Sequence, residues 1–411
     1  MATLRPFRAL RPRPADAARI AAVPYDVVNT DEARALAAGN PLSFLHVSRA
    51  EIDLPPGTDP HADEVYDRAV KNFDTLRQSL IREDAASIYL YRLRMGTHEQ
   101  VGIAACFALD EYDRDVIKKH ERTRRDKEDD RTRHLVALGA QTGPVFLTYR
   151  ARPEIDQAAA AASAADPIID FEAPDGVRHT LWRLKDAERD ALVDMMKRVP
   201  ALYIADGHHR AASAARARQE VQARQRARNG DAAAAESFLA VAFPDSEVQI
   251  LPYNRVVTDL GGLSAAAFLE SVRTRFDVAP GSATPKRKGE IAMFVDGAWY
   301  TLTLRQPAQP ASGGADRTAA LDVTVLDDEL LAPVLKIGDI RTDPRIDFVG
   351  GGRGAGELER LVETGRAAVA FAMYPVGVDD LMSVSDAGAI MPPKSTWFEP
   401  KLRDGLLIHV I

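Results

Sequence analysis

Apolar residues spaced three and four apart are clearest between residues 63 and 82. There Tyr66, Ala69, Val70, Phe73, Leu76, Leu80 and Ile81 fall on one face and predict a helix with a single apolar stripe. Upstream the pattern is shorter and broken. RPFRAL (5–10) and IAAVPYDVV (20–28) read as extended pieces, because Pro24 keeps Val23 out of helical geometry. Asp31 to Ala38 predicts a short helix stopped by Gly39 and Pro41, and SFLHV (43–47) predicts a strand. Two β-rich runs, 87–95 and 100–109, predict a hairpin through Gly96-Thr97-His98-Glu99. A dense charge run follows from Asp113 to Arg133, then an apolar helical segment at 135–140 and the strand PVFLTY.

The Ala-rich stretch 151–170 predicts little. A helix near 187–198 leads into the strand LYIA, then Asp206-Gly207, then a long Ala/Arg/Gln helix ending at Asn229-Gly230. SFLAVAF (237–243) and EVQILPYNRVV (247–257) predict strands. IAMFV and AWYTLTL form a hairpin around Asp296-Gly297, a pair suited to a two-residue turn. Pro307 to Gly314 reads as a linker, helices are expected near 327–335 and 357–364, and the polar motif MPPKSTWFEPK lies at 391–401. Strands and helices alternate irregularly without a repeat, which predicts a mixed α/β or α+β architecture.

Composition narrows the classes. The 411 residues include 60 acidic and 53 basic side chains, a formal charge of −7, and 46% hydrophobic residues. A disordered chain, a collagen-like repeat and a disulfide scaffold are excluded. With Cys106 alone, neither an internal disulfide nor a cysteine zinc site can form, so a reducing cytoplasm is the expected compartment. The Arg- and Pro-bearing first 14 residues precede no apolar run, so no signal peptide is expected, and no run reaches the roughly 20 apolar residues of a membrane span. A net acidic chain lacks the footprint for non-specific nucleic-acid binding.

The most informative residues are LYIADGHHRA, 202–211. A strand ending in Asp206-Gly207 and a helix opening with His208, His209 and Arg210 describe a phosphate site: helix N-terminal amides attract anions and Gly207 admits a ligand close to the backbone. Asp206 could hold Mg²⁺ or accept a proton. The plainer reading is a capped helix with solvated polar residues in its first turn. In VIKKHERTRRDKEDDR (116–131), His120-Glu121 lacks the second His of a helical zinc motif. Either the run is a solvated face, or Glu121 is a general base and Lys127 and Arg131 neutralise a phosphoryl group. Lys394, Ser395 and Thr396, with Lys401, form a third candidate, without the glycines of a P-loop. Gly350 to Gly354 carries no dinucleotide fingerprint. Arg255 and His179 read as hydrogen-bonded structural residues, and Tyr25-Asp26 as a turn.

RPFRALRP, VPYDVV, NPLSFLHV, HERT, DDR, ADGHHR, PYNRVV and MPPKSTWFEPK, spread from Arg5 to Lys401, resemble a prokaryotic family known as a domain of unknown function, number one thousand and fifteen. That family is associated with serine biosynthesis. More distantly, VIKKHE, a helix, a strand and then DGHHR before a helix resemble the ParB and sulfiredoxin superfamily, in particular its free serine kinases.

The resemblance implies a ParB/sulfiredoxin-like core at 111–250 with an insertion near 150–195, flanked by α/β segments at 1–110 and 251–411. It further implies Glu121 and Asp206 as catalytic residues and Gly207, His208, His209 and Arg210 as the nucleotide-phosphate turn; His120, next to Glu121, is a catalytic candidate beside them. Mg²⁺ on Asp206, ATP or ADP as donor, and free L-serine or a similar hydroxyl metabolite as substrate complete the expectation: an ATP-binding transferase of the kinase type. A phosphoserine phosphatase, and a nucleotide-binding regulator resembling the partitioning members of the superfamily, are the alternatives. The Arg-bearing helix with Arg216, Arg218, Arg224, Arg226 and Arg228 is the feature favouring a regulator.

Overall fold

The β-rich runs of the first 250 residues join in one mixed sheet. Nine strands build it: β1 (Leu4–Arg5), β2 (Tyr89–Met95), β3 (His98–Ala108), β4 (Ile117–Lys118), β5 (Val145–Tyr149), β6 (Ile169–Glu172), β7 (Arg178–Arg183), β8 (Leu202–Asp206) and β9 (Ser237–Pro244). Their order is β4-β8-β5-β9-β3-β2-β7-β6, with β1 on β3. Two pairs are parallel, β4 with β8 and β5 with β9. In the computed structural model, residues 2–227, 232–306 and 317–411 are described. The chain has a mixed α/β fold, and it groups into one unit of residues up to Val248 with Pro400–Ile411, and a second of Gln249–Glu399.

The first unit is built on burial of both faces of its central strands. All eight residues of β9 are buried, as expected of a strand with helices packed over it. Phe107, Leu147, Ile204 and Phe238 join Ile155, Met196, Ala211 and Val221 from the surrounding helices in one core cluster. A second cluster gathers Ile20, Phe44, Leu45, Phe73 and, from the chain's last residues, Ile408. That closing segment is tied down by Arg403, whose Nε donates to the Nε2 of fully buried His179 at 3.1 Å, and whose guanidinium also pairs with Asp175. The Nδ1 of His179 faces the Tyr91 hydroxyl at 2.8 Å, the structural role its apolar setting predicted.

Several elements depart from the periodicity reading. SFLHV forms no strand: Leu45–Ser48 is a short buried helix, because a brief apolar run serves a buried helix as well as a strand and tertiary packing chooses. The helix predicted at 63–82 is α1 (Asp63–Leu76); Leu80–Arg82 turns into a strand paired with Leu10–Pro12. The helix placed at 135–140 begins ten residues earlier, as α2 (Arg125–Leu138), within the charge run. Its charged positions make ion pairs: Glu128 and Asp129 with Arg216, Asp130 with Arg131, and Arg133 with Asp63. Helix α3 (His208–Ala227) follows β8 as expected. The predicted stop at Asn229-Gly230, Arg228 and the linker 307–314 lie outside the described residues.

The second unit holds a six-stranded antiparallel sheet of β10 (Tyr253–Val257), β11 (Phe276–Pro280), β12 (Glu290–Val295), β13 (Ala298–Leu304), β14 (Ile346–Gly350) and β15 (Val369–Ala372), ordered β11-β13-β12-β15-β10-β14. The β12/β13 turn puts Asp296 at φ 52° and Gly297 at φ 75°, as a two-residue turn between twisted strands demands. No helix among the described residues is long and apolar enough to cross a membrane.

Gly405 tests how the closing segment is held. Its φ is 82°, and a Cβ there would lie 2.5 Å from the ring of buried Phe44. Gly405→Ala is expected to lower the stability of the first unit by about 1–3 kcal/mol through strain and overpacking, measured by denaturant unfolding of the full chain.

Candidate functional site

Strand β8 delivers Asp206 to the edge of the core, and Gly207 at φ 94° turns the chain into α3. A Cβ at Gly207 would sit 3.0 Å from the Arg210 Nε, so a side chain there would meet the guanidinium as well as strain the backbone. The parallel partner β4 matters equally: Lys118 pairs with Tyr203. Glu121 therefore follows β4 by the same three residues by which Asp206 follows that pairing position on β8. Pairing brings together two segments that the sequence separates by 85 positions.

The first turn of α3 holds the early loop from two sides. The His208 Nε2 accepts from the His120 amide at 3.4 Å, and the His209 Nε2 accepts from the Arg124 amide at 3.0 Å. Because Nε2 is the acceptor, hydrogen bonding assigns the neutral His208 proton to Nδ1, which lies 3.7 Å from a Glu121 carboxylate oxygen. The His120 and His208 rings meet edge to face at 4.5 Å. Burial pushes His120 down to about 4 and lowers His208 well below the ordinary histidine range. Both imidazoles are neutral at neutral pH.

Asp206 is the charged centre. Its Oδ2 lies 3.3 Å from the Lys401 Nζ and 3.5 Å from the Arg210 Nη2. Burial favours the neutral carboxyl, but Lys401 and Arg210 outweigh it and hold Asp206 well below the usual carboxylate range. Arg210 donates to the Pro144 carbonyl, while its Nε makes no hydrogen bond. Beside it lies Asp404, which burial and the carboxylates of Asp26 and Asp206 push up to about 7 against Arg210 and Arg131. The Asp404 Oδ1 is buried and without a hydrogen-bond partner.

Two cavities share lining residues here, and Arg210 and Asp404 line the smaller. A small one of about 50 Å³ is walled by Arg210, Asp404, Arg131, Tyr25, Thr142 and Gly143. A larger one of about 260 Å³ shares Tyr25, Ser48, Arg131 and His134 with it and adds Lys127, Arg49 and Asp130. Arg131 stands over the Tyr25 ring at 4.0 Å and binds the Asp130 carboxylate at 2.7 Å.

The structure thus brings Glu121, His120, Asp206, Gly207, His208, His209 and Arg210 to one turn, and places Arg131 on the small cavity and Lys127 on the larger one. Lys394, Ser395 and Thr396 belong to the second unit. The Lys394 Nζ lies 5.6 Å from the Tyr253 ring centre, and the Ser395 hydroxyl donates to Pro392 at 2.6 Å. Arg255 is fully buried there and donates to the Tyr253 carbonyl; burial lowers it to about 10, opposed by Asp327. Sequence reasoning missed Tyr25, Asp26 and Asp404. The VPYDVV segment, one of those that carry the family resemblance, was the available signal for the first two, and none pointed to Asp404.

A model of the DUF1015 family, described as a protein of unknown function, matches residues 4–324. The chain belongs to that family. No curated protein matches it. Among solved structures it is similar to SbnI with a C-terminal truncation from Staphylococcus aureus, at 10% identity and TM-score 0.37, covering 73% of this chain and 85% of that one. It is similar to a conserved hypothetical protein from Pyrococcus furiosus, at 14% identity and TM-score 0.36, with coverage of 74% and 94%. It is also similar to a free serine kinase variant in complex with ADP, at 12% identity and TM-score 0.35, with coverage of 74% and 92%.

Among the described residues no group of three or more His, Cys, Asp or Glu could by itself hold a metal ion. A Mg²⁺ arriving on nucleotide phosphates needs only one or two protein carboxylates. Asp206, ionised and with a quarter of its side chain exposed, fits that demand.

The buried histidines give the unit a pH signature. His134, whose Nε2 donates to the Val47 carbonyl at 3.0 Å, is pushed down to about 4 by burial and by Arg131. A histidine depressed in the folded state stabilises fully above its unfolded value of about 6.5, and that stability is lost as pH falls toward 4. His134→Gln, which can keep the bond to Val47, is expected to flatten the fall of the denaturation midpoint between about pH 6.5 and 4. Equal slopes in the two proteins would contradict the buried neutral state.

Proposed function

We propose that this chain is a phosphotransferase that moves a phosphoryl group from ATP or ADP to the hydroxyl of a small metabolite, free L-serine being the acceptor to which the sequence resemblance points. One observation carries the reading: an ionised Asp206 held by Lys401 and Arg210 at a glycine turn, with the Glu121 carboxylate beside His208 on the same turn.

Phosphoryl transfer asks the protein mainly for positioning and for compensation of charge on the phosphate oxygens. Arg210 and the first amides of α3 supply that compensation, and Gly207 leaves the backbone open to the phosphates. Glu121 takes the acceptor's hydroxyl proton as its oxygen bonds to phosphorus and the bond to the departing nucleotide breaks. The His208 Nδ1 stands 3.7 Å from that carboxylate as a polar neighbour, and His209 fixes the loop through the Arg124 amide. Asp206 is the residue that would hold Mg²⁺, which supplies charge neutralisation at the phosphates. Neutral His120 and His208 act by shape and hydrogen bonding, and the cationic work falls to Arg210 and Lys401.

Phosphorus NMR of the full chain with Mg²⁺, ATP or ADP, and L-serine is expected to show O-phosphoserine growing with nucleotide consumption. Inorganic phosphate released from phosphoserine alone would favour a phosphatase instead. Glu121→Gln should lower turnover about 100- to 10,000-fold, the range of a lost general base, with nucleotide affinity unchanged by calorimetry. Retained turnover removes Glu121 from the proton step.

A further inference from the structure

The larger cavity has a charge balance that its own walls do not close. Arg49, Lys127 and Arg131 line it against Glu51 and Asp130, while His134 is neutral. Arg49 pairs with Glu51 at 2.9 Å and Arg131 with Asp130 at 2.7 Å. For Lys127 the described residues supply no carboxylate within ion-pair distance. The lining therefore carries one positive charge in excess, and an incompletely compensated cation beside a cavity favours an anion.

One further polar group belongs to the lining residues and is unsatisfied. The Ser48 hydroxyl, in a residue only 4% exposed, has no hydrogen-bond partner, whereas the Arg49 Nε lies 2.9 Å from a Glu51 carboxylate oxygen. A buried donor without a partner costs on the order of 1–3 kcal/mol, so its place in the wall of a cavity with excess positive charge marks a place for an acceptor atom. A single excess cation matches one carboxylate group better than a phosphate dianion. The volume, about 260 Å³, lies below the roughly 300–1,000 Å³ of drug-sized pockets and suits a small metabolite. Exposed Pro60 and His61 stand at its wall and give it a mouth.

We infer that this cavity is the acceptor subsite and recognises a small hydroxy acid by its carboxylate, held by Lys127 and Ser48. This rests on the phosphotransfer reading for the word acceptor alone. Tyr25, Ser48, Arg131 and His134 line both this pocket and the small cavity, whose lining includes Arg210, the residue beside Asp206. In the proposed pose the carboxylate sits at Lys127 and the hydroxyl end is directed toward the side of Arg210. Lys127 is then a substrate-specificity residue, separate from the phosphate-binding turn.

Calorimetric titration of the full chain with L-serine, D-glycerate, ethanolamine and inorganic phosphate tests this. Serine and glycerate are expected to bind, and ethanolamine, which lacks the carboxylate, at least tenfold more weakly. Lys127→Met and, independently, Ser48→Ala should each weaken serine binding about tenfold or more and leave nucleotide affinity unchanged, with Lys127→Arg restoring most of the loss. In the transfer assay the same variants should raise KM and spare kcat. Ethanolamine or phosphate binding as tightly as serine, no carboxylate binding at all, or indifference of serine to both variants would overturn the assignment. Carboxylate binding that depends on Lys127 without any phosphoester formed would retain the pocket and sink the transferase. Serine phosphorylation with KM unmoved in both variants would do the reverse.

Discussion

The first unit is organised around a guanidinium taken almost out of water. Arg210 has a side chain only 11% exposed, and an isolated cation in that position would cost several kcal/mol. Compensation comes from carboxylates that the chain gathers from distant places: Asp206 four residues before it, Asp404 from the closing segment, and Asp26 from the N-terminal loops. Lys401 then balances Asp206 from the other side. Because these groups originate nearly 400 positions apart, the unit can meet its electrostatic demands only when its two chain ends are folded together.

That demand explains features that otherwise look unrelated. Gly143 must lack a side chain, since a Cβ would approach the Asp404 Oδ1 to 2.4 Å. Gly405 must turn sharply against Phe44 to return the chain. Arg403 reaches His179 in β7, fixing the segment that presents both Lys401 and Asp404. Burial and this compensation together spread pKa values apart: Asp206 is kept ionised by its cations, while burial raises Asp404 to about 7 and lowers His120 and His134 to about 4. Divergent titration in one cluster is a recurring mark of functional sites, here accompanied by cavities and by donors without partners.

The candidate site was partly legible from residue types alone. Asp206-Gly207 between an apolar run and a helical one announced its own geometry, since Gly supports the positive φ that the turn adopts. The nearness of Glu121 came from resemblance, and its physical basis is the β4–β8 pairing, which local propensity does not encode. The charge run 113–133 read as one solvated block, yet α2 passes through it. Lys127 and Arg131, four apart on that helix, fall on the same side and reach the cavities, while Glu128 and Asp129 reach α3. Lys401 sits in a motif with Lys394, Ser395 and Thr396, and there adjacency misled: the structure assigns Lys401 to the first unit and the other three to the second.

By itself the sequence determined the elements whose signals are local: the hairpins at 89–108 and 290–304, the strand-glycine-helix turn, the mixed α/β class, and the absence of any cysteine pair. Tertiary structure decided the rest. Whether Leu45–Ser48 coils or extends, where α2 begins, which carboxylates surround Arg210, and which polar groups stay unsatisfied around a cavity all depend on contacts between residues far apart in the chain. The physical reason is that hydrogen bonding and side-chain periodicity are set within a few residues, whereas burial and charge compensation are set by everything the fold brings near.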